Sequence, residues 1–114
     1  MNNIDLNNQV QNLLEQHKAI DINHISVKDL TPLFDDMFVC TATSTRHAKS
    51  LADYIIRHFK PQMPETPRIE GIESGDWILI DLNNVIVHIM LNETRKFYRI
   101  EQLWQISSIP DNKE

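Results

Sequence analysis

The side chains able to do chemistry here are one cysteine, Cys40, five histidines, the acids Asp35-Asp36 and Asp76 with Asp81, and the hydroxyl run Thr41-Ala42-Thr43-Ser44-Thr45. Cys40 lies in an apolar, β-branched run where a buried thiol is inert, and no histidine is placed to deprotonate it, so a structural role is expected. A single cysteine also forms no internal disulfide and no thiolate metal cage, which fits a reducing cytosol. The histidines, His17, His24, His47, His58 and His88, show no H-E-x-x-H or related spacing. His47 and His58 would share a helix face but stand about 16 Å apart along its axis, too far for one metal. Asp76 and Asp81 point to opposite faces of a strand, so they make no two-carboxylate metal site of the phosphoryl-transfer kind. Asp35-Asp36 has the composition of a loop end or strand start. The Thr41–Thr45 turn keeps a ligand reading, because backbone N–H groups and hydroxyls at a helix entrance can hold a phosphate. It lacks the glycines that admit a phosphate closely, and helix capping uses the same residues.

The elements that would position these groups follow from periodicity. Val10, Leu13, Leu14 and His17 at helical spacing predict an amphipathic helix over residues 5 to 18. Ile20, Ile22, Ile25 and Val27 among polar residues predict a strand over 20 to 27. Met37 to Ala42 reads as a strand leading through the hydroxyl turn into a helix whose Ala48, Leu51, Ala52, Ile55 and Phe59 form one continuous stripe. Lys60-Pro61 ends that helix, since proline restricts the residue before it and donates no backbone bond. A proline-rich connection to Pro67 precedes a short edge strand over 68 to 71. Asp76 to Leu82 and Val85 to Met90 then face each other across Asn83-Asn84, a pair that tolerates positive φ and suits a tight hairpin.

A two-residue loop pairs Leu82 with Val85, Ile80 with Val87 and Ile78 with Ile89, giving a wholly aliphatic face that must be core. The opposite face sets Trp77 beside Met90, Leu79 beside His88 and Asp81 beside Ile86. Two readings of that face stand open: coverage by a helix, with His88 a satisfied core histidine, or an interface patch of aromatic, apolar and acidic groups. Asn92-Glu93-Thr94 reads as a helix entrance, and Phe97, Ile100 and Trp104 return at helical spacing, so three helices are expected around the sheet.

With 114 residues the chain is long enough for one domain, and 41% hydrophobic with 24% charged residues is an ordinary globular balance. The domain is expected over 1–106, with a polar tail at 107–114. The longest apolar stretch, Val85 to Leu91, contains His88 and is far too short to span a bilayer, and no signal or transit segment is visible, so a soluble, cytoplasmic protein without membrane contact is expected. A net charge of −5 is the wrong sign for wrapping nucleic acid and suits a basic partner.

Four ordered blocks carry a resemblance covering about residues 20 to 105. These are Asp35 to His47, Ile69-Glu70-Gly71, Trp77 to Asp81 with Val85 to Met90, and Arg95 to Trp104. Together they resemble the ribosomal silencing factor family, also called Iojap. The family has glycine where Ala42 stands and Gly-Asp where Asn83-Asn84 stands. The resemblance implies a mixed α/β domain, a sheet of about five strands flanked by helices, with a nucleotidyltransferase-like topology but without catalytic carboxylates. It implies no enzyme and no cofactor. It implies a translational repressor that binds the large ribosomal subunit through its ribosomal protein fourteen and hinders joining of the small subunit when nutrients are scarce. Carried over by position, the contact surface is Trp77, Asp81, Leu82, Met90, Glu93 and Tyr98, with Leu82 awkward because the hairpin register sends it to the aliphatic face. No sequence-specific nucleic-acid contact is implied, and a monomer or weak homodimer is expected. Two alternatives remain: a nucleotide-binding or nucleotidyltransferase-like enzyme using the Thr41–Thr45 turn, and a homodimeric adaptor burying the Trp77 face against its own copy.

Overall fold

The hairpin expected across Asn83-Asn84 organises the sheet. In the computed structural model, which describes residues 2–108 and side chains as far as Trp104, β4 (Trp77–Asp81) and β5 (Val85–Leu91) pair in the expected register, Ile78 opposite Ile89 and Ile80 opposite Val87. Most of the expected 107–114 tail, Pro110 included, lies outside the described residues. At the turn Asn83 takes φ +78°, and its N–H donates to the Asp81 carboxylate at 2.7 Å. The Asn84 carbonyl then accepts from the Asp35 and Asp36 N–H groups, so the turn tip is tied to the start of β2 (Asp36–Ala42).

Five strands form one mixed sheet in the order β1-β2-β5-β4-β3, with β1 covering Ile20–Ser26 and β3 covering Arg68–Glu70. Only β2 and β5 run parallel; the other pairs are antiparallel. Every residue of β2 is buried, as a central strand covered on both faces must be. Gly71, at φ +81°, closes the turn after β3 where a Cβ would overlap the Trp77 carbonyl oxygen.

The first helix, α1 (Asn3–Gln16), starts two residues before the expected boundary because Asn2 caps it, accepting from the Asp5 N–H at 2.8 Å. Ser44 caps α2 (Thr45–Phe59) in the same way, accepting from the His47 N–H at 3.0 Å. Ala48, Leu51, Ala52, Ile55 and Phe59 are all buried, as their stripe required. With α1 they cover one face of the sheet, over Ile78, Ile80, Leu82, Val85, Val87 and Ile89.

Two expectations need correction. In β1 the pairing slips between Ile20 and Asn23, with Asp21 at φ +50°. This bulge puts Ile22 against the α1–α2 core and leaves Ile20 42% exposed, so simple alternation fails there. The C-terminal helical pattern is two helices, making four α-helices among the described residues: α3 (Asn92–Tyr98) stops at Arg99, whose φ of +49° turns the chain into α4 (Ile100–Ser108). Phe97 is consequently exposed and does not join a buried stripe, whereas Ile100 and Trp104 pack on the second face of the sheet with Phe34 and Met37.

Candidate functional site

Strand alternation sends Trp77, Leu79 and Asp81 of β4, and Ile86, His88 and Met90 of β5, to the face away from α1 and α2. The backbone reversal at Arg99 ends α3 with Tyr98 beside Trp77, ring centroids 4.8 Å apart and tilted by 48°. Phe97 meets Tyr98 edge-on at 4.9 Å. The result is a corner of three aromatic rings, with Trp77 half-buried, Tyr98 51% exposed and Phe97 78% exposed. Glu93 is exposed on α3. Asp76, fully exposed just before Trp77, has its carboxyl lowered by the Ser74 hydroxyl that donates to it, and Lys96 and Arg99 stand with Glu93 around Phe97, so both signs of charge border the corner.

Behind the corner lies His88, 8% exposed. Burial pushes its pKa down to about 4, against a smaller opposing effect of the Glu101 carboxylate. It is therefore neutral at physiological pH. A neutral imidazole has one donor and one acceptor nitrogen. The Trp77 indole N–H donates to Nδ1 at 3.0 Å, which leaves the proton on Nε2. The His88 ring also lines an open groove of about 570 Å³ walled by Leu33, Phe34, Met37, Leu79, Ile86 and Trp104.

Of the six carried-over contact residues, the structure brings Trp77 and Tyr98 together on an open corner and leaves Glu93 exposed beside them. Asp81 is on the same face but half-buried and paired with Arg68. Leu82 and Met90 are buried. Leu82, 1% exposed, lies under the α1–α2 layer because the hairpin register points it there, and Met90, 0% exposed, lies beneath the aromatic corner with Val39, Ile25 and Met37. Neither offers surface to a partner as the domain stands.

Arg95 was not singled out by spacing, yet it holds this corner in place. Nearly buried, it donates to Glu101 at 2.7 Å, to Thr41 Oγ1 at 2.9 Å and to the Asp21 carbonyl at 2.7 Å, tying α3 to α4, β2 and β1. Arg95 and Glu101 are six residues apart, a spacing that no straight helix brings into contact. Only the reversal at Arg99 makes the pair.

Several of the groups suited to phosphate are engaged within the domain. Thr41 accepts from Arg95, the Thr43 N–H donates to His47 Nδ1 at 3.0 Å, Ser44 caps α2, and His47 Nε2 donates to the His17 carbonyl at 2.8 Å. Cys40 is buried and its thiol is pushed up to about 12 by desolvation, beyond nucleophilic use. Asp36 is also buried and accepts from His24 at 2.8 Å. Among the described residues no group of three or more His, Cys, Asp or Glu could hold a metal ion, and no helix is long and apolar enough to cross a membrane.

Against this geometry stand the comparisons with known proteins. The family model described as "Ribosomal silencing factor during starvation" matches residues 1–114. A Haemophilus influenzae protein named ribosomal silencing factor RsfS is 40% identical, over 80% of this chain and 89% of that protein. A mouse protein named for mitochondrial assembly of the ribosomal large subunit is 34% identical over 87% of this chain, which spans 45% of it. A crystal structure of a Chromobacterium violaceum protein is 36% identical and superposes with a TM-score of 0.87, covering 92% of this chain and 88% of that one.

Proposed function

Since the chain belongs to the ribosomal silencing factor family, we propose that it is a non-enzymatic translational repressor of the cytoplasm that docks on the large ribosomal subunit. Its contact there is ribosomal protein fourteen, and the bound domain stands in the path of the small subunit when nutrients are limiting. The mechanism is steric and needs no bond to be made or broken.

The observation that carries this reading is the aromatic corner in which Tyr98 touches both Trp77 and Phe97, with open surface on the rings. Aromatic anchors dominate interface energetics, and an exposed cluster of them on a small domain marks a contact site. The net charge of −5 favours approach to a basic ribosomal protein and makes the on-rate fall with salt. Arg95 and the Arg99 reversal hold Tyr98 against Trp77 before any partner arrives, so little ordering is left to be done on binding.

The test is co-sedimentation with isolated large subunits, small subunits and joined ribosomes at low and moderate salt. The native protein is expected with free large subunits. Trp77→Glu is expected to lose at least about 2 kcal/mol of that binding, roughly thirtyfold, while keeping its circular dichroism spectrum. A folded Trp77→Glu variant that still sediments with large subunits removes the proposed anchor.

A further inference from the structure

The indole of an interface tryptophan has a single donor, and that donor needs a partner once water is excluded. In this domain the Trp77 N–H is already spent within the chain, on His88 Nδ1 at 3.0 Å. We propose that His88 is a positioning residue for docking: it accepts the Trp77 indole N–H, fixes the ring against Tyr98, and makes Trp77 meet its partner through ring faces and carbon edges alone. The proposal rests on the reading of Trp77 as the anchor.

Three observations support it. His88 is directly cross-strand from Leu79 and diagonal to Trp77 on the same face, so sheet register sets the reach of the bond. The imidazole is 8% exposed, so bulk water does not compete freely for the nitrogen that accepts the indole N–H. The indole lies 5.9 Å from the imidazole and 4.8 Å from the Tyr98 ring, centroid to centroid, so one hydrogen bond orients a ring that touches both. A corollary concerns the partner. With no free donor on Trp77, the group it receives is apolar or cationic, and a basic protein supplies the latter over the ring face. Without the acceptor, the N–H enters a desolvated interface unpaired, which weakens binding by about tenfold or more.

The experiment uses the full chain and purified large subunits. His88→Phe keeps a ring and removes the acceptor, whereas His88→Gln keeps an acceptor of similar reach. The indole N–H resonance is expected to move on His88→Phe and to stay shifted in His88→Gln. Large-subunit affinity should fall by about tenfold in the first variant and largely persist in the second. In a Trp77→Phe background, which has no indole N–H, His88→Phe should cost no further affinity; a general packing role would cost the same in both backgrounds. Native binding by folded His88→Phe, alongside lost binding by Trp77→Glu, overturns the role of His88 and spares the docking reading. Native binding by Trp77→Glu overturns both. Imidazole nitrogen shifts of the unmodified protein decide the matter without any variant: a proton on Nδ1 in place of Nε2 sinks the proposal.

Discussion

Strands β4 and β5 send Ile78, Ile80, Val85, Val87 and Ile89 to the α1–α2 face, each with no exposed surface, and send Trp77, Leu79 and Asp81 half-buried to the other. On the first face two helices of fourteen and fifteen residues lay continuous apolar stripes over the strands. On the second, among the described residues, lie α3, seven residues long, α4, a left-handed residue between them, and Val27, Leu30 and Phe34 from the β1–β2 connection. The closed face has the aliphatic composition of a core, and the polar group buried at its edge, Asp36, is paired with His24. The open face keeps a histidine that accepts the Trp77 N–H, an arginine–glutamate pair in which Glu101 Oε1 is left without a partner, and three aromatic rings. The tightest aliphatic packing lies on one face and the proposed recognition surface on the other, and a single strand alternates between them residue by residue.

That division can be broken with neighbours on β4. Ile80→Ala, emptying a fully buried site, should cost about 2–5 kcal/mol in urea unfolding. Leu79→Ala, one residue away on the open face, should cost roughly 1 kcal/mol. Equal losses would mean that the open face is as much core as the closed one.

The next effect is on pH. His88 has an ordinary value of 6.5 when unfolded and about 4 when folded, so between those limits the unfolded chain binds more protons and stability rises with pH. Its contribution is fully present above pH 6.5. On acidification it is lost progressively toward pH 4, by roughly 3 kcal/mol in total. Unfolding free energies of the native protein and His88→Gln, measured from pH 7 to pH 4, should converge as pH falls, since the variant lacks this titration. Parallel curves would show His88 to be better solvated than the open face allows.

The smallest effect belongs to neither face. Asp53 and Arg57 form an exposed i,i+4 pair at 3.0 Å on the outer side of α2, and Asp53→Ala should change stability by no more than about 0.5 kcal/mol. A larger loss would place part of the domain's stability on a surface that the two-face comparison leaves out.

Much of this was legible from local pattern. The Asn83-Asn84 hairpin and its register followed from turn chemistry and period-two alternation, and the α2 stripe and Ser44 cap followed from helical spacing. Trp77 and Tyr98 as contact residues came from the resemblance, as did Leu82 and Met90, which the domain buries. A resemblance transfers positions without their depth. Leu82 was readable as a conflict, because the register already sent it to the aliphatic face. Met90 was not, because its cover comes from residues far along the chain. The β1 bulge and the Arg99 reversal escaped because each is a single non-glycine residue at positive φ, a conformation that sequence pattern does not mark.

By itself the sequence determined the strands, the alternation along β4 and β5 and the closed core, because apolar periodicity and turn residues act over a few positions and one hairpin register satisfies them all. Tertiary structure alone decided which side of the sheet stays open, that Arg95 would find Glu101, Thr41 and the Asp21 carbonyl, and that His88 would take the Trp77 N–H. Those contacts join groups brought together by a chain reversal and by strand order, and a buried hydrogen bond has no sequence period through which to announce itself.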